Sequence, residues 1–216
     1  MQTVFPRTGL ANFGPWILAI AVTIGFATVQ SAGAQSLEDK IGSALQAKKP
    51  LTRSIGVDPK TAAEKQVIDR LRTRSISVEA APPPSADDRA QIAAIARDKP
   101  AIDLEILFDY NSANVGRSAE PAVNALGNAL SKEQFKGTVF LINGHTDAKG
   151  SAEYNQDLSQ RRADAVRRVL IERFRLPPDT LVSTGFGKEQ LKNTANPFAD
   201  ENRRVQIVNT TVTAGR

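Results

Sequence analysis

The stretch GTVFLINGHTDAKGSAEYN, Gly137 to Asn155, decides the fold. Its first part, Thr138-Val139-Phe140-Leu141-Ile142, is a near-continuous apolar run of the kind found in strands covered on both faces. The polar loop Gly144 to Gly150 follows and leads into a long helical pattern, about Ala152 to Arg175, ended by Pro177-Pro178. Upstream, Ile102, Leu104, Ile106 and Phe108 alternate with Asp103, Glu105 and Leu107, which predicts a strand with one buried face. A polar turn, Asp109-Tyr110-Asn111-Ser112, separates it from a helix over about Ser118 to Ser131. Downstream come a strand at Leu181–Thr184, a Gly/Asn/Pro-rich loop from Gly185 to Asp200 and a last strand from Arg203 to Val208. The order is βαβαββ. The expected fold class is α+β, a two-layer sandwich of a mixed sheet with helices on one face, over residues 101–216.

The ends of the chain before this domain read differently. Residues 1–34 have one charge, Arg7, an apolar run from Trp16 to Val29 and an Ala32-Gly33-Ala34 ending. That pattern describes a secretory signal peptide cleaved before Gln35. The run is about 14 residues against the roughly 20 needed to span a bilayer, and an uncleaved anchor is the alternative. Residues 35–100 are sparse in apolar side chains and rich in breakers, among them Pro50, Pro59 and Pro82-Pro83-Pro84. Two short helices fit there, about Pro59–Arg72 and Ser85–Arg97. Neither buries enough apolar surface alone to offset chain entropy, so the segment is expected to be a largely extended tether.

The net charge of +5 sits in that tether. From Gln46 to Arg74 eight Lys/Arg face three acids, whereas from Pro100 onward 15 basic residues face 14 acidic ones. A solvated spacer is one reading of this basic segment; contact with an anionic membrane surface or an envelope protein is another. Nine Phe outnumber the two Tyr and one Trp, so aromatic platforms for nucleic-acid bases are not prominent and no nucleic-acid partner is expected. The chain has no Cys, which excludes disulfides and a lipid attached to cysteine.

His145 is the only histidine. A zinc site needs three or four His, Cys or carboxylate ligands, and no cofactor or metal is expected here. Ser151 and Ser183 are serines within the same region, but neither lies in a G-x-S-x-G elbow, which speaks against a hydrolytic triad. The plainer reading has His145 hydrogen-bonding backbone in a tight loop. The long helix carries a stronger anomaly. At about 100° per residue from Leu158, Arg162 falls near 40°, inside the stripe formed by Val166, Val169 and Ala165, while Arg161, Arg167 and Arg168 fall outside it. A guanidinium on the core side needs an anionic partner. Asp147 is the nearby candidate, on the loop at the same end of the sheet. Either the two close on each other as a buried salt bridge, or they hold apart and take a zwitterionic ligand, carboxylate on Arg162 and ammonium on Asp147. The N-terminus of the helix, Ala152 to Tyr154, adds free N–H groups at that spot.

These residues carry a family resemblance. Ile142-Asn143-Gly144-His145-Thr146-Asp147, Gly150, Tyr154-Asn155, Leu158-Ser159 and Arg162-Ala163 resemble the signature of the OmpA-like C-terminal domain, shared by OmpA, peptidoglycan-associated lipoprotein and MotB. Phe108-Asp109, Ser112-Ala113, Gly185-Phe186-Gly187 and Asn202-Arg203-Arg204-Val205 fall in the family's order over about residues 105–208. The resemblance implies non-covalent binding of peptidoglycan through the diaminopimelate of its stem peptide, in the periplasm or at the outer membrane. It implies that Asp147 takes the ammonium and Arg162 the carboxylate, with Thr146, Asn155, Leu158 and the turn Asp109, Tyr110 and Asn111 lining the pocket. It also implies a binding module rather than an enzyme.

Overall fold

The computed structural model describes residues 32–46, 59–76, 83–106, 108 and 112–211. The first 31 residues, which hold almost all of the expected signal peptide, lie outside the described residues, as does the turn Asp109–Asn111. The elements are α1 (Ala32–Ala44), α2 (Pro59–Arg74), α3 (Ala86–Ala96), β1 (Ala101–Leu104), α4 (Glu120–Leu130), β2 (Phe140–Gly144), α5 (Ala152–Phe174), β3 (Leu181–Gly185) and β4 (Val205–Asn209). From β1 onward the order is βαβαββ, and the fold class is α+β with a mixed sheet.

The sheet order is β1-β4-β2-β3. β2 pairs parallel with β3, and β4 runs antiparallel between β1 and β2. Alternation sorts the side chains. Leu104, Phe140, Ile142, Leu181, Val205 and Ile207 pack toward α4 and α5, whose Val123, Leu126, Leu130, Val166 and Leu170 complete that core. Val139, Leu141, Val182 and Val208 point the other way into a second apolar cluster. Every residue of β2 is buried, as its unbroken apolar run requires.

The second cluster corrects the tether reading. Its outer half is made by Ile68 and Leu71 of α2 and Ile92 and Ile95 of α3, so these helices cover the face of the sheet opposite α4 and α5. Each helix alone has too few apolar residues to hold itself together, but both spend them on one preformed sheet face. Polar contacts add to this. Asp88 completes a capping box with Ser85 at the start of α3 and also accepts from Arg70 and Arg74 of α2, at 2.8 and 2.6 Å. Lys99 pairs with Glu64 at 3.0 Å, and Arg72 reaches Asp179 at 2.6 Å. Arg167, which its place on α5 predicts to be exposed, is buried instead. Its guanidinium donates to the carbonyls of Leu181, Pro178 and Ser75, joining the end of α2 to the edge of the sheet.

A further helix, α1, has no counterpart in the sequence reading. It packs on α4, and Ile41 and Leu45 are fully buried in the first core. Leu37, Ile41 and Leu45 recur every four residues, a helical signal obscured by the small residues around the expected cleavage point.

Because Ile92 is fully buried against the sheet, Ile92→Ala should lower the unfolding free energy by about 3 kcal/mol, measured by denaturant titration of the full chain. An extended tether would leave the midpoint unchanged.

Candidate functional site

Two glycines bring α5 onto the sheet. A Cβ on Gly144 would collide with the Ser159 carbonyl oxygen, and one on Gly185 with Gln160 N and Ser159 Oγ. Their absence lets the helix backbone lie against the ends of β2 and β3. The contact is then laced by hydrogen bonds. Gly185 N–H donates to Gln160 Oε1 (2.7 Å), Gln156 Nε2 to the Gly185 carbonyl (2.8 Å), and Gly187 N–H to Ser159 Oγ (2.8 Å). Ser151 caps α5 by accepting from Tyr154 N–H.

The loop between β2 and α5 is shaped from all sides. Thr146 N–H donates to the Gly187 carbonyl, and its hydroxyl to the carbonyl of Asp147. Asn155 is buried and donates Nδ2 to the Lys149 carbonyl at 2.9 Å. Asp147 Oδ1 accepts from Lys149 N–H, a turn within the loop, and Oδ2 accepts from Arg203 Nη1, both at 3.0 Å. Arg203 also grips Asp200 at 2.6 Å. The Asp147 side chain keeps 14% of its surface exposed.

Arg162 is 8% exposed. Its Nε donates to the Ser112 carbonyl at 3.1 Å, and the guanidinium lies 4.9 Å from the centre of the Phe108 ring. Burial depresses the tendency of this guanidinium to hold its charge, against the favourable pull of Tyr154 and Asp147; Arg203 and Arg161 act with burial. Among the described residues Arg162 forms no salt bridge. The Arg162–Asp147 salt bridge is therefore not formed: Asp147 is held by Arg203 and its own loop, and Arg162 by a carbonyl and a ring. Leu158 is buried one turn before Arg162. Asp109, Tyr110 and Asn111 lie outside the described residues.

Arg203, one of the arginine doublet before β4, is the residue that holds Asp147. The signal was present, since neighbours at a strand entrance point to opposite sides. Arg203 turns outward to Asp147, while Arg204 is enclosed and faces Asp103.

His145 differs from the reading made of it. Its backbone N–H donates to the Arg204 carbonyl, but neither ring nitrogen has a hydrogen-bond partner among the described residues. The ring is 1% exposed and stacks on Phe186 at 5.5 Å and 11°. Burial, helped by the nearby Arg204 and opposed by Asp103, pushes its pKa down to about 3. A neutral, enclosed imidazole has no route to a substrate; it fills space under the loop.

An OmpA family model matches residues 107–205. Among curated proteins, the chain is 30% identical over 113 residues to outer membrane porin F of Pseudomonas aeruginosa, covering 49% of this chain and 30% of that protein. It is 34% identical over 104 residues to the peptidoglycan-associated lipoprotein of Legionella pneumophila, covering 47% of this chain and 57% of that one. Among solved structures, the peptidoglycan-associated lipoprotein from Burkholderia pseudomallei aligns with 29% identity and a TM-score of 0.41, over 48% of this chain and 87% of that chain. The chain thus spans between about a third and just over half of the curated relatives described.

The His145 pKa carries a sign. The unfolded imidazole protonates near its ordinary value of 6.5 and the folded one only near 3. Stability should therefore fall as pH is lowered from about 6.5 toward 3, because the unfolded state takes up the proton first. His145→Phe should flatten that part of the melting-temperature profile, and the wild-type imidazole NMR signals should not titrate between about pH 8 and 5.

Proposed function

We propose that this protein, whose residues 107–205 match an OmpA family model, binds peptidoglycan non-covalently, in the periplasm or at the outer membrane, and breaks no bond. The observation that carries the reading is that the Asp147 carboxylate favours the charge of the Arg162 guanidinium but is not joined to it. Opposite charges held apart by other groups suit a ligand that brings both charges itself. The free end of diaminopimelate is such a ligand, an α-amino acid zwitterion projecting from the stem peptide. Its carboxylate forks onto the Arg162 guanidinium, whose Nε is already directed by Ser112. Its ammonium meets Asp147, whose carboxylate is oriented by Arg203 and the Lys149 N–H.

Thr146, Asn155 and Leu158 act on this pocket by shape. Thr146 and Asn155 spend their polar groups inside the loop, so their contribution is to hold Asp147 in place, and Leu158 supports the turn of α5 that bears Arg162. Asp109, Tyr110 and Asn111 complete the lining in this reading. Similarity to a peptidoglycan-associated lipoprotein supports the polymer; diaminopimelate as the recognised group rests on the charge arrangement. Docking of an anionic surface by the basic 46–74 segment loses weight, because Arg70, Arg72 and Arg74 are engaged with Asp88 and Asp179.

Co-sedimentation with purified sacculi tests the reading. Asp147→Ala and Arg162→Ala should each lose most of the retention while keeping a cooperative melt, and Arg162→Lys should keep part of it, since an ammonium cannot fork onto a carboxylate. Retention of both alanine variants at the wild-type level would remove the site. Diaminopimelate should raise the melting temperature by mass action more than lysine, which lacks the second carboxylate.

A further inference from the structure

The pocket as described holds one end of one residue, while the ligand is a polymer that must continue across the surface. The loop bonded to that of Asp147 carries Phe198, 63% exposed, the most exposed large apolar side chain among the described residues. Single exposed apolar residues are ordinary. What sets Phe198 apart is where it stands and how firmly.

Pro197, its neighbour, accepts a hydrogen bond at 3.0 Å from the N–H of Ala148, the residue after Asp147. On its other side, Asp200 shares Arg203 with Asp147. The loop itself is tied from within by Asn202, which is fully buried. Its Nδ2 donates to the carbonyls of Asn196 and Pro197, each at 3.1 Å, and its Oδ1 accepts from Asn193 N–H at 2.8 Å. Ala199 N–H closes a turn onto Asn196. The backbone under the phenyl ring is thus set before any ligand arrives, and little ordering remains to be done on binding.

We propose that Phe198 is a second contact of this site, an apolar platform for the part of the stem peptide that leads away from diaminopimelate. The proposal rests on the peptidoglycan reading. With the ammonium on Asp147, the methylene chain of diaminopimelate leads to the γ-linked glutamate, whose own methylenes pass over the adjoining loop. The sugars lie further off, beyond the glutamate and the alanine of the stem. A ring on the loop that abuts Asp147 therefore meets peptide and not glycan, through the apolar contact for which an aromatic face is suited.

The test is calorimetric titration of wild type, Phe198→Ala and Phe198→Tyr with three ligands: free meso-diaminopimelate, the tripeptide L-Ala-γ-D-Glu-meso-diaminopimelate, and the disaccharide-linked tripeptide. Phe198→Ala should weaken both peptide ligands by roughly tenfold, leave free diaminopimelate within about twofold, and be rescued by Phe198→Tyr. Unchanged tripeptide affinity overturns the proposal, as does equal weakening of free diaminopimelate, which would mean that the loop had moved. Weakening confined to the disaccharide ligand also overturns it and assigns the ring to the glycan. If wild type binds none of the three, the peptidoglycan reading itself fails.

Discussion

The close approach of α5 to the ends of β2 and β3 is the constraint on which the rest of the site depends. Gly144 and Gly185 have no side chain to hold the helix off, and Ser159 and Gln160 use the space for hydrogen bonds to the β3 end. The helix is thereby placed in a single register against the sheet. Larger residues at either glycine would have to push the backbone of α5 outward, because each would meet main-chain atoms of Ser159 or Gln160 that cannot swing aside. Arg162 and the loop of Asp147 sit on the two partners of this contact, so their relative position is inherited from it.

Given that placement, the separation of the two charges is a matter of competing partners. A buried guanidinium and a nearby carboxylate would ordinarily pair, since an isolated buried charge is costly. Here each has been given something else. Asp147 receives two N–H donors, one of them from Arg203, and Arg162 is placed over Phe108 with its Nε on a carbonyl. Among the described residues neither arrangement sets a carboxylate on Arg162. In the proposed reading, that is what leaves the guanidinium open to a ligand's carboxylate.

The far side of the sheet follows a different logic. Its apolar row of Val139, Leu141, Val182 and Val208 is covered by α2 and α3, and Arg70, Arg72 and Arg74 of α2 are answered by Asp88 and Asp179. The basic excess that looks like an outward-facing segment in the sequence is partly internal wiring. Arg167 shows the same thing at one residue. It lies opposite the apolar stripe of α5, yet the end of α2 and the turn before β3 enclose it and supply three carbonyls.

What the sequence determined by itself was whatever is encoded within one element or one loop. The alternation in β1, the unbroken run of β2, the length of α5, the βαβαββ order, and Arg162 as a charge on an apolar stripe are all local periodicities, and they were legible. So was Asp147 as a charge on the loop from β2, because the order of elements puts that loop and the start of α5 at one end of the sheet. The tertiary structure decided what depends on distant segments meeting. The packing of α1, α2 and α3 on the domain could not be read, since each carries too little apolar surface to announce a partner. The choice of Arg203 over Arg162 for Asp147 could not be read either, since it depends on how a loop more than fifty residues away folds back. His145 likewise drew notice as the only histidine, and only the stacked, enclosed ring beside Phe186 showed that its role is to fill space. Periodicity belongs to the chain; burial and pairing belong to the fold.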